Sequence, residues 1–329
     1  MVKKVSVITP FFQRQPGLLR KAITSVATQK GLDARVEIIV VDDGSPVPAD
    51  TELTGMVLPD TLEVRVLKQA NAGCYPACNT ALDNVGVDTD YVAFLDSDDE
   101  WFDAHLGNAV WALERGYDLY FSDFYQLNQN VSAFQRGGRL NLDDHKRIHP
   151  SKPIYEFGAS MFDQIIKGNV LGTSTIVYDR RRLGDLRYRE DFRHTGAEYI
   201  LWLSMAARSN RVAFSAEPEC RYGGGINIFS EAAWGTDKYL TVRQDEIKCR
   251  KYIVSHLAVS GDQRGHLRKN LHESRVNFCL GLIHNVLHNR RIGKGILKRQ
   301  IQSDPLTFAT LLVAPCIAAV RRLGRNTAN

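Results

Sequence analysis

The sequence predicts an α/β protein: a mostly parallel sheet flanked by helices, followed by an all-helical C-terminal region. Three observations carry that expectation. Strand-like and helix-like segments alternate from residue 5 to about 119, as parallel βαβ units require. Residues 36–41 form an almost unbroken apolar run, the pattern of a strand covered on both faces. Beyond about residue 230 only helical periodicity remains.

The first strand, residues 5–8, ends at Thr9-Pro10. Gly17 then precedes a helix over 18–29, where Leu18, Leu19, Ala22, Ile23 and Val26 recur at helical spacing. The second strand, 36–41, stops at Asp42-Asp43-Gly44-Ser45-Pro46, a dense run of turn formers. A third strand is expected over 62–67 and a helix over 77–85. A fourth strand over 91–95 ends at Asp96-Ser97-Asp98-Asp99. Residues 104–115 are helical and 118–121 strand-like. Residues 126–157 are polar, with Arg136-Gly137-Gly138-Arg139, and read as a long excursion of the kind that serves as a functional lid. A helix (161–166), a strand (173–178), a helix (198–207) and a short strand (211–214) follow, then a turn at Gly223-Gly224-Gly225. Helices are expected over 238–257, 267–287 and 305–323.

Composition narrows the class. With 44% hydrophobic residues in 329, the chain is not intrinsically disordered, and 11 Pro with 25 Gly exclude a collagen-like one. The length suggests two domains, or one large α/β domain with an appendage: 1–230, dividing at about 125, and a helical region over 231–329. Cysteines at 74, 78, 220, 249, 279 and 316 match no zinc ribbon and read as buried free thiols of a reducing cytosol. The N-terminus shows no signal peptide. No run reaches the roughly 18–20 apolar residues of a spanning helix; residues 308–320 come nearest and contain Pro315.

Ligands of an open parallel sheet bind outside the carboxyl ends of its strands. Two acidic clusters, Asp42-Asp43 and Asp96 to Asp99, fall at that edge. Carboxylates so gathered repel unless a cation neutralises them, and hard oxygens select Mg²⁺ or Mn²⁺. Each cluster alone also fits a surface turn or a helix cap. The chain has no phosphate-cradling P-loop, no three-glycine dinucleotide motif after the first strand and no Gly-x-Ser-x-Gly elbow.

Val5-Ser6-Val7-Ile8-Thr9-Pro10-Phe11, Val40-Val41-Asp42-Asp43-Gly44-Ser45, Asn71-Ala72-Gly73 with Asn79, and Phe94-Leu95-Asp96-Ser97-Asp98-Asp99 stand in series at successive strand ends. Together they resemble the motifs of the family 2 glycosyltransferases, enzymes of the GT-A fold. Gly172 to Val177 and Gly196 to Leu203 extend the resemblance to about residue 225. Within the family the chain resembles bacterial exopolysaccharide enzymes, including succinoglycan glucosyltransferases.

The resemblance implies transfer of a sugar, glucose in the first instance, from a UDP-linked donor to an acceptor hydroxyl with inversion. Thr9, Pro10 and Phe11 would border the nucleobase, and Asp42 would accept from the uracil imide N–H. Asp43 would share that role or orient the turn. Arg14 would reach the ribose or a phosphate, while Asn71, Gly73 and Asn79 line the nucleotide. Asp96 would face ribose and metal beside Ser97, with Asp98 as the principal ligand of Mg²⁺ or Mn²⁺. The general base falls to Glu198, because the family's Glu-Asp pair reads Ala197-Glu198 here. The metal-contacting histidine of many relatives is missing around Arg221-Tyr222-Gly223. Trp101 and Trp202 read as core, and His145, His149 and His194 as surface residues.

The net charge of +5 is too small to argue for nucleic acid. It is unevenly spread: residues 262–329 hold 12 Lys+Arg against 3 Asp+Glu, a local +9 that leaves −4 on the first 261. A basic helical tail with an apolar face reads as a peripheral contact with the inner face of the cytoplasmic membrane, suited to a glycan or lipid-linked oligosaccharide acceptor. A solvated appendage or a dimer interface is the alternative for the tail. For the whole chain the competing classes are another metal-dependent phosphoryl-transfer enzyme and a non-catalytic nucleotide-sugar- or lipid-binding module.

Overall fold

Ten strands form one mixed sheet: β1 (Lys3–Phe11), β2 (Ala34–Asp42), β3 (Leu62–Lys68), β4 (Tyr91–Phe94), β5 (Glu100–Trp101), β6 (Leu119–Tyr125), β7 (Lys146–Arg147), β8 (Ile154–Glu156), β9 (Val177–Asp179) and β10 (Val212–Arg221). These come from a computed structural model that describes residues 2–192, 194–225 and 232–314. The chain divides into two units, Met1–Glu190 with Leu201–Asn227, and Asp191–Ile200 with Ile228–Asn329. The first holds the whole sheet.

The strand order is β3-β2-β1-β4-β9-β6-β10-β8-β7, with β5 antiparallel on β10. β3, β2, β1 and β4 run parallel, β9 is antiparallel to both its neighbours, and β6 and β10 pair parallel. Helices α1 (Leu18–Ala27), α2 (Ala49–Leu53), α3 (Cys74–Asp83) and α4 (His105–Leu113) form the crossovers. The centre of the sheet is apolar: Val5, Val7, Ile38, Val40, Tyr91 and Ala93 pack with Leu19 and Ile23 of α1 and Leu106 and Ala109 of α4. Register fixes the functional edge. Phe11 is level with Asp42, and Ile8 with Phe94, so the turns that follow β2 and β4 flank the end of β1.

Several expected elements differ in detail. Residues 173–178 were expected as a strand, but Thr173–Thr175 is a 3₁₀ turn and only Val177–Asp179 pairs. Thr175 Oγ1 donates to Gly172 O at 2.8 Å, a side-chain bond that competes with a β-ladder. The 126–157 excursion contains α5 (Ala133–Gly137), β7 and β8. It is followed by α6 (Met161–Gly168), α7 (Arg180–Leu183) and α8 (Ala197–Arg208). The strand expected at 211–214 continues to Arg221 through irregular register around Pro218.

The helical unit contains α9 (Asp237–His256), α10 (Gly261–Leu287), α11 (Lys294–Ser303) and α12 (Leu306–Ala309). Ser260 and Gln263 form a reciprocal capping box that starts α10. Leu240 and Ile247 of α9 meet Leu271, Phe278 and Leu282 of α10 and Ile296 of α11 in one core. At Gly281 a Cβ would come within 2.9 Å of Tyr239, so the glycine permits the close crossing of α9 and α10. Asp304 is buried and accepts two 2.7 Å bonds from Arg275. The helix expected over 305–323 begins as α12 and a 3₁₀ turn, Thr310–Leu312; its remainder, with Cys316 and Arg321, Arg322 and Arg325, lies outside the described residues. Among the described cysteines, Cys78, Cys220, Cys249 and Cys279 are buried and Cys74 is exposed, all as free thiols.

Candidate active site

The two acidic turns at the strand ends are built differently. Asp42 is buried; its Oδ1 accepts from Ser45 N (2.8 Å) and its Oδ2 from Ala49 N (2.9 Å), which folds the turn back onto α2. Asp43 is also buried and accepts from Gln69 Nε2 (2.7 Å), Ala72 N (2.8 Å) and Gly73 N (2.8 Å). These charge-assisted bonds hold the start of α3 against the end of β2. This pair is therefore held by the chain's own amides, the turn-and-cap arrangement that the sequence also allowed for this cluster. A carboxylate offers about four acceptor sites; Asp42 uses two here and Asp43 three, so Asp42 keeps more capacity for a ligand donor.

Around them, Asn71 Nδ2 donates to Asp43 O at 2.9 Å. Gly73 has φ +105, a left-handed value that favours glycine at the head of α3. Thr9 and Phe11 are buried at the end of β1, Pro10 is half-buried, and the Thr9 hydroxyl has no hydrogen-bond partner among the described residues. Arg14 is exposed on the loop beyond β1. Asn79 was expected to line the nucleotide, but its amide is turned elsewhere: Nδ2 donates to Tyr188 O (2.8 Å) and Glu190 Oε1 (2.9 Å), and Oδ1 accepts from Tyr188 N (2.8 Å). That geometry fastens the 188–190 segment to α3.

The turn after β4 is more open. Asp96 and Asp98 are half-buried, whereas Ser97 and Asp99 are buried. Ser97 Oγ accepts from Gln13 Nε2 at 3.2 Å, and Gln13 also exchanges bonds with Ser45. Gln13 thus ties together the β1, β2 and β4 ends, a role with no sequence signal. Asp98 Oδ2 accepts from Gly225 N at 2.8 Å, and Asp99 Oδ1 from Gly223 N at 2.9 Å. Burial pushes the Asp98 carboxyl above its ordinary range. Burial, then the charges of Asp96 and Asp98, pushes Asp99 up well above it.

Repulsion of that kind is what a divalent cation relieves. Among the described residues no group of three or more His, Cys, Asp or Glu is arranged to hold a metal. Two partly exposed carboxylates, Asp96 and Asp98, supply hard oxygens but not a cage, which fits Mg²⁺ or Mn²⁺ shared with phosphate oxygens and water.

The three-glycine turn fits closely over Asp98. A Cβ on Gly223 would collide with the Asp98 carbonyl oxygen, and one on Gly225 would lie 2.7 Å from both Asp98 Cβ and Gln13 Nε2. Gly223→Ala is expected to destabilise the fold by about 1–3 kcal/mol, the usual cost of forced overpacking; urea unfolding of the variant measures it.

The remaining candidates fall as follows. Trp101 is core, with Nε1 donating to Ser174 O at 2.5 Å, and Trp202 is core as well. His145 and His149 are bound locally rather than free on the surface: Nδ1 of His145 accepts from Gly158 N, and that of His149 from Lys152 N, both at 3.0 Å. His194 N donates to Asp245 Oδ2 at 2.9 Å. Arg221 is exposed, its guanidinium 5.0 Å from the Tyr125 ring centre. In the other unit, Glu198 is half-buried in the first turn of α8, where the helix dipole favours an acid. Gly196 before it has φ +105 and would meet Cys249 at 2.9 Å if it carried a Cβ. Burial pushes the Cys249 thiol up to about 12, with the nearby Glu198 charge adding to the effect.

Residues 6–174 match the family model described as Glycosyl transferase family 2. The chain belongs to that family. It is 31% identical over 233 residues to the succinoglycan biosynthesis protein ExoW of Rhizobium meliloti (strain 1021), a match covering 69% of this chain and 70% of the relative. The fold is shared with S. aureus TarS, solved with UDP-GlcNAc (TM-score 0.59, 16% identity, covering 94% of this chain and 81% of that one). It is shared too with a mannosyltransferase of Pyrobaculum calidifontis, solved with GDP-Man and Mn²⁺ (TM-score 0.53, 15% identity, covering 97% and 86%). The glycosyltransferase thus has the GT-A architecture: a mixed sheet with flanking helices and a helical C-terminal region.

Proposed function

We propose that this family 2 glycosyltransferase moves glucose from UDP-glucose to an acceptor hydroxyl, with inversion, in the assembly of a bacterial exopolysaccharide or another surface glycan. The observation that carries the reading is the convergence of the two acidic turns on the end of β1, one closed by backbone and side-chain amides and one still partly exposing carboxylate. Thr9, Pro10, Phe11, Asp42 and Asp43, with Arg14, Asn71 and Gly73, form the nucleotide side; the engaged amide of Asn79 makes it a support for that side. Asp96 and Ser97 lie beside the diphosphate, and Asp98 holds Mg²⁺ or Mn²⁺. A divalent cation bound there supplies positive charge for the diphosphate as it leaves. Glu198 takes the acceptor's proton as its oxygen bonds to the anomeric carbon, and the carbon–phosphate-oxygen bond breaks with its electron pair going to UDP. The nucleotide half 1–125, the acceptor half to 230 and the helical region over 231–329 are the proposed division of labour.

The test is incubation with UDP-glucose, Mg²⁺ or Mn²⁺, and a lipid-linked oligosaccharide acceptor, with the product linkage read by NMR. UDP release with a β-linked product is expected, because the donor is α-linked. An α-linked product contradicts inversion, and failure to bind any UDP-sugar contradicts the whole reading.

For the acceptor we propose a lipid-linked glycan at the inner face of the cytoplasmic membrane, approached by an enzyme that is peripheral there. No described helix is long and apolar enough to cross a membrane. On α11, Lys294, Lys298 and Ile301 are exposed, on the side opposite buried Ile296 and Gln300. From 286 to 313 the only acid, Asp304, is buried and paired with Arg275 and Lys251. Full-length protein is expected to float with vesicles containing anionic lipid and to stay behind with neutral ones. Neutralising Lys294, Lys298 and Arg299 to Gln should weaken that binding by about 1 kcal/mol per residue. Failure to float with the anionic vesicles contradicts the membrane contact, and equal flotation on both contradicts its electrostatic basis.

A further inference from the structure

We propose that Asp99 and Ser174 are a positioning pair that sets the direction of the Asp98 carboxylate. The inference rests on the reading of Asp98 as the metal ligand and gives its two neighbours separate work. Three aspartates stand within four residues, yet only Asp96 and Asp98 are partly exposed; Asp99 is 3% exposed and Ser174 is fully buried. The Asp99 carboxylate is spent on the protein. Ser174 Oγ donates to its Oδ2 at 2.5 Å, and Gly223 N donates to its Oδ1 at 2.9 Å.

The serine also accepts from Asp96 N at 3.0 Å, while Asp99 N donates to Asp96 O at 3.0 Å. The loop 96–99 is therefore closed twice: once by its own backbone, and once by a relay running from the Asp96 N–H through the Ser174 hydroxyl to the Asp99 carboxylate. Ser174 is itself held, because its carbonyl accepts from Trp101 Nε1 and its 3₁₀ turn is closed by Thr175 N donating to Gly172 O at 3.0 Å. Asp98 projects from the middle of this closed loop, and its Oδ2 meets the same glycine turn that Asp99 holds, through Gly225 N. Two adjacent carboxylates thus grip one turn; the buried one fixes the turn and the loop, and the half-buried one is left with a defined aim. Fixing a ligand through such outer partners typically governs metal affinity by about 10- to 100-fold.

The test is calorimetric titration of UDP, with and without Mn²⁺, into wild type, Asp99→Asn and Ser174→Ala, alongside thermal unfolding. Asn at 99 keeps the shape but offers an N–H₂ where Ser174 or Gly223 also donates. The expected result is that each variant binds UDP alone as wild type does but loses about 10- to 100-fold of the gain in affinity that Mn²⁺ confers. The double variant should lose little more than the worse single one, because the two side chains form one unit. Variants that unfold earlier yet keep the full Mn²⁺-dependent gain overturn the proposal, as does an equal loss with and without metal. Should Asp99→Asn fail to fold, Ser174→Ala decides alone. A wild type whose UDP affinity ignores Mn²⁺ overturns the metal reading itself, a failure seen before any variant is compared.

Discussion

Asp98→Ala is expected to abolish UDP release from UDP-glucose while leaving the protein folded. Asp98 is half-buried at the mouth of the turn, where its Oδ2 accepts from Gly225 N. Its removal takes away a carboxylate that burial already destabilises, so no large loss of stability follows. What the proposed mechanism loses is the oxygen that would hold the cation against the leaving diphosphate. Losses of two to three orders of magnitude are usual when one preorganised electrostatic group is removed, about 2.7–4 kcal/mol. Asp98→Asn should behave nearly as Asp98→Ala, since an amide oxygen is a poor substitute for a charged one. Initial rates of UDP release over a range of Mn²⁺ concentrations check this; a variant within about twofold of wild type, far below the loss expected, excludes Asp98 from the metal site.

Glu198→Gln should give the second large effect, a fall in kcat of about 10²–10⁴ with little change in the KM for donor. The proposed mechanism separates the two residues by role: Asp98 would serve the leaving group, and Glu198 the incoming hydroxyl. Donor binding in Glu198→Gln should therefore be intact by calorimetry while turnover is lost. Glu198→Asp is informative because the family pattern has an aspartate at this position and this chain has one methylene more. Partial activity in Glu198→Asp, with near-complete loss in Glu198→Gln, is the expected pair of results; a fully active Glu198→Gln assigns the base elsewhere.

Much of this architecture is legible in the sequence because the residues responsible act locally. The run from Val36 to Val41 is buried on both sides as its composition requires, and the turn formers after it end the strand where the register places the active edge. The identity of the acidic turns was equally legible, since each sits directly after an apolar strand. What could not be read is which carboxylates are consumed by the fold. Asp42 and Asp43 look like free charge in a linear sequence, yet five hydrogen bonds from Ser45, Ala49, Gln69, Ala72 and Gly73 absorb them. Asn79 and Tyr188 are far apart in the chain, so the staple between them has no local signature. Ser174 lies in a stretch rich in β-branched residues, and its turn becomes visible only when its partner Asp99 is known. The helix over Lys294–Ser303 was hidden by two glycines at its start, Gly293 and Gly295, and by its single buried apolar residue, Ile296.

The most direct test is a crystal of the wild-type protein soaked with UDP and Mn²⁺, with the ion located from its anomalous signal. The expected map shows uridine at the end of β1 and β2, and a manganese peak bonded to both the diphosphate and the Asp98 carboxylate. A peak that engages the diphosphate without Asp98, or UDP bound away from the two acidic turns, would contradict the assignment on which the mechanism stands.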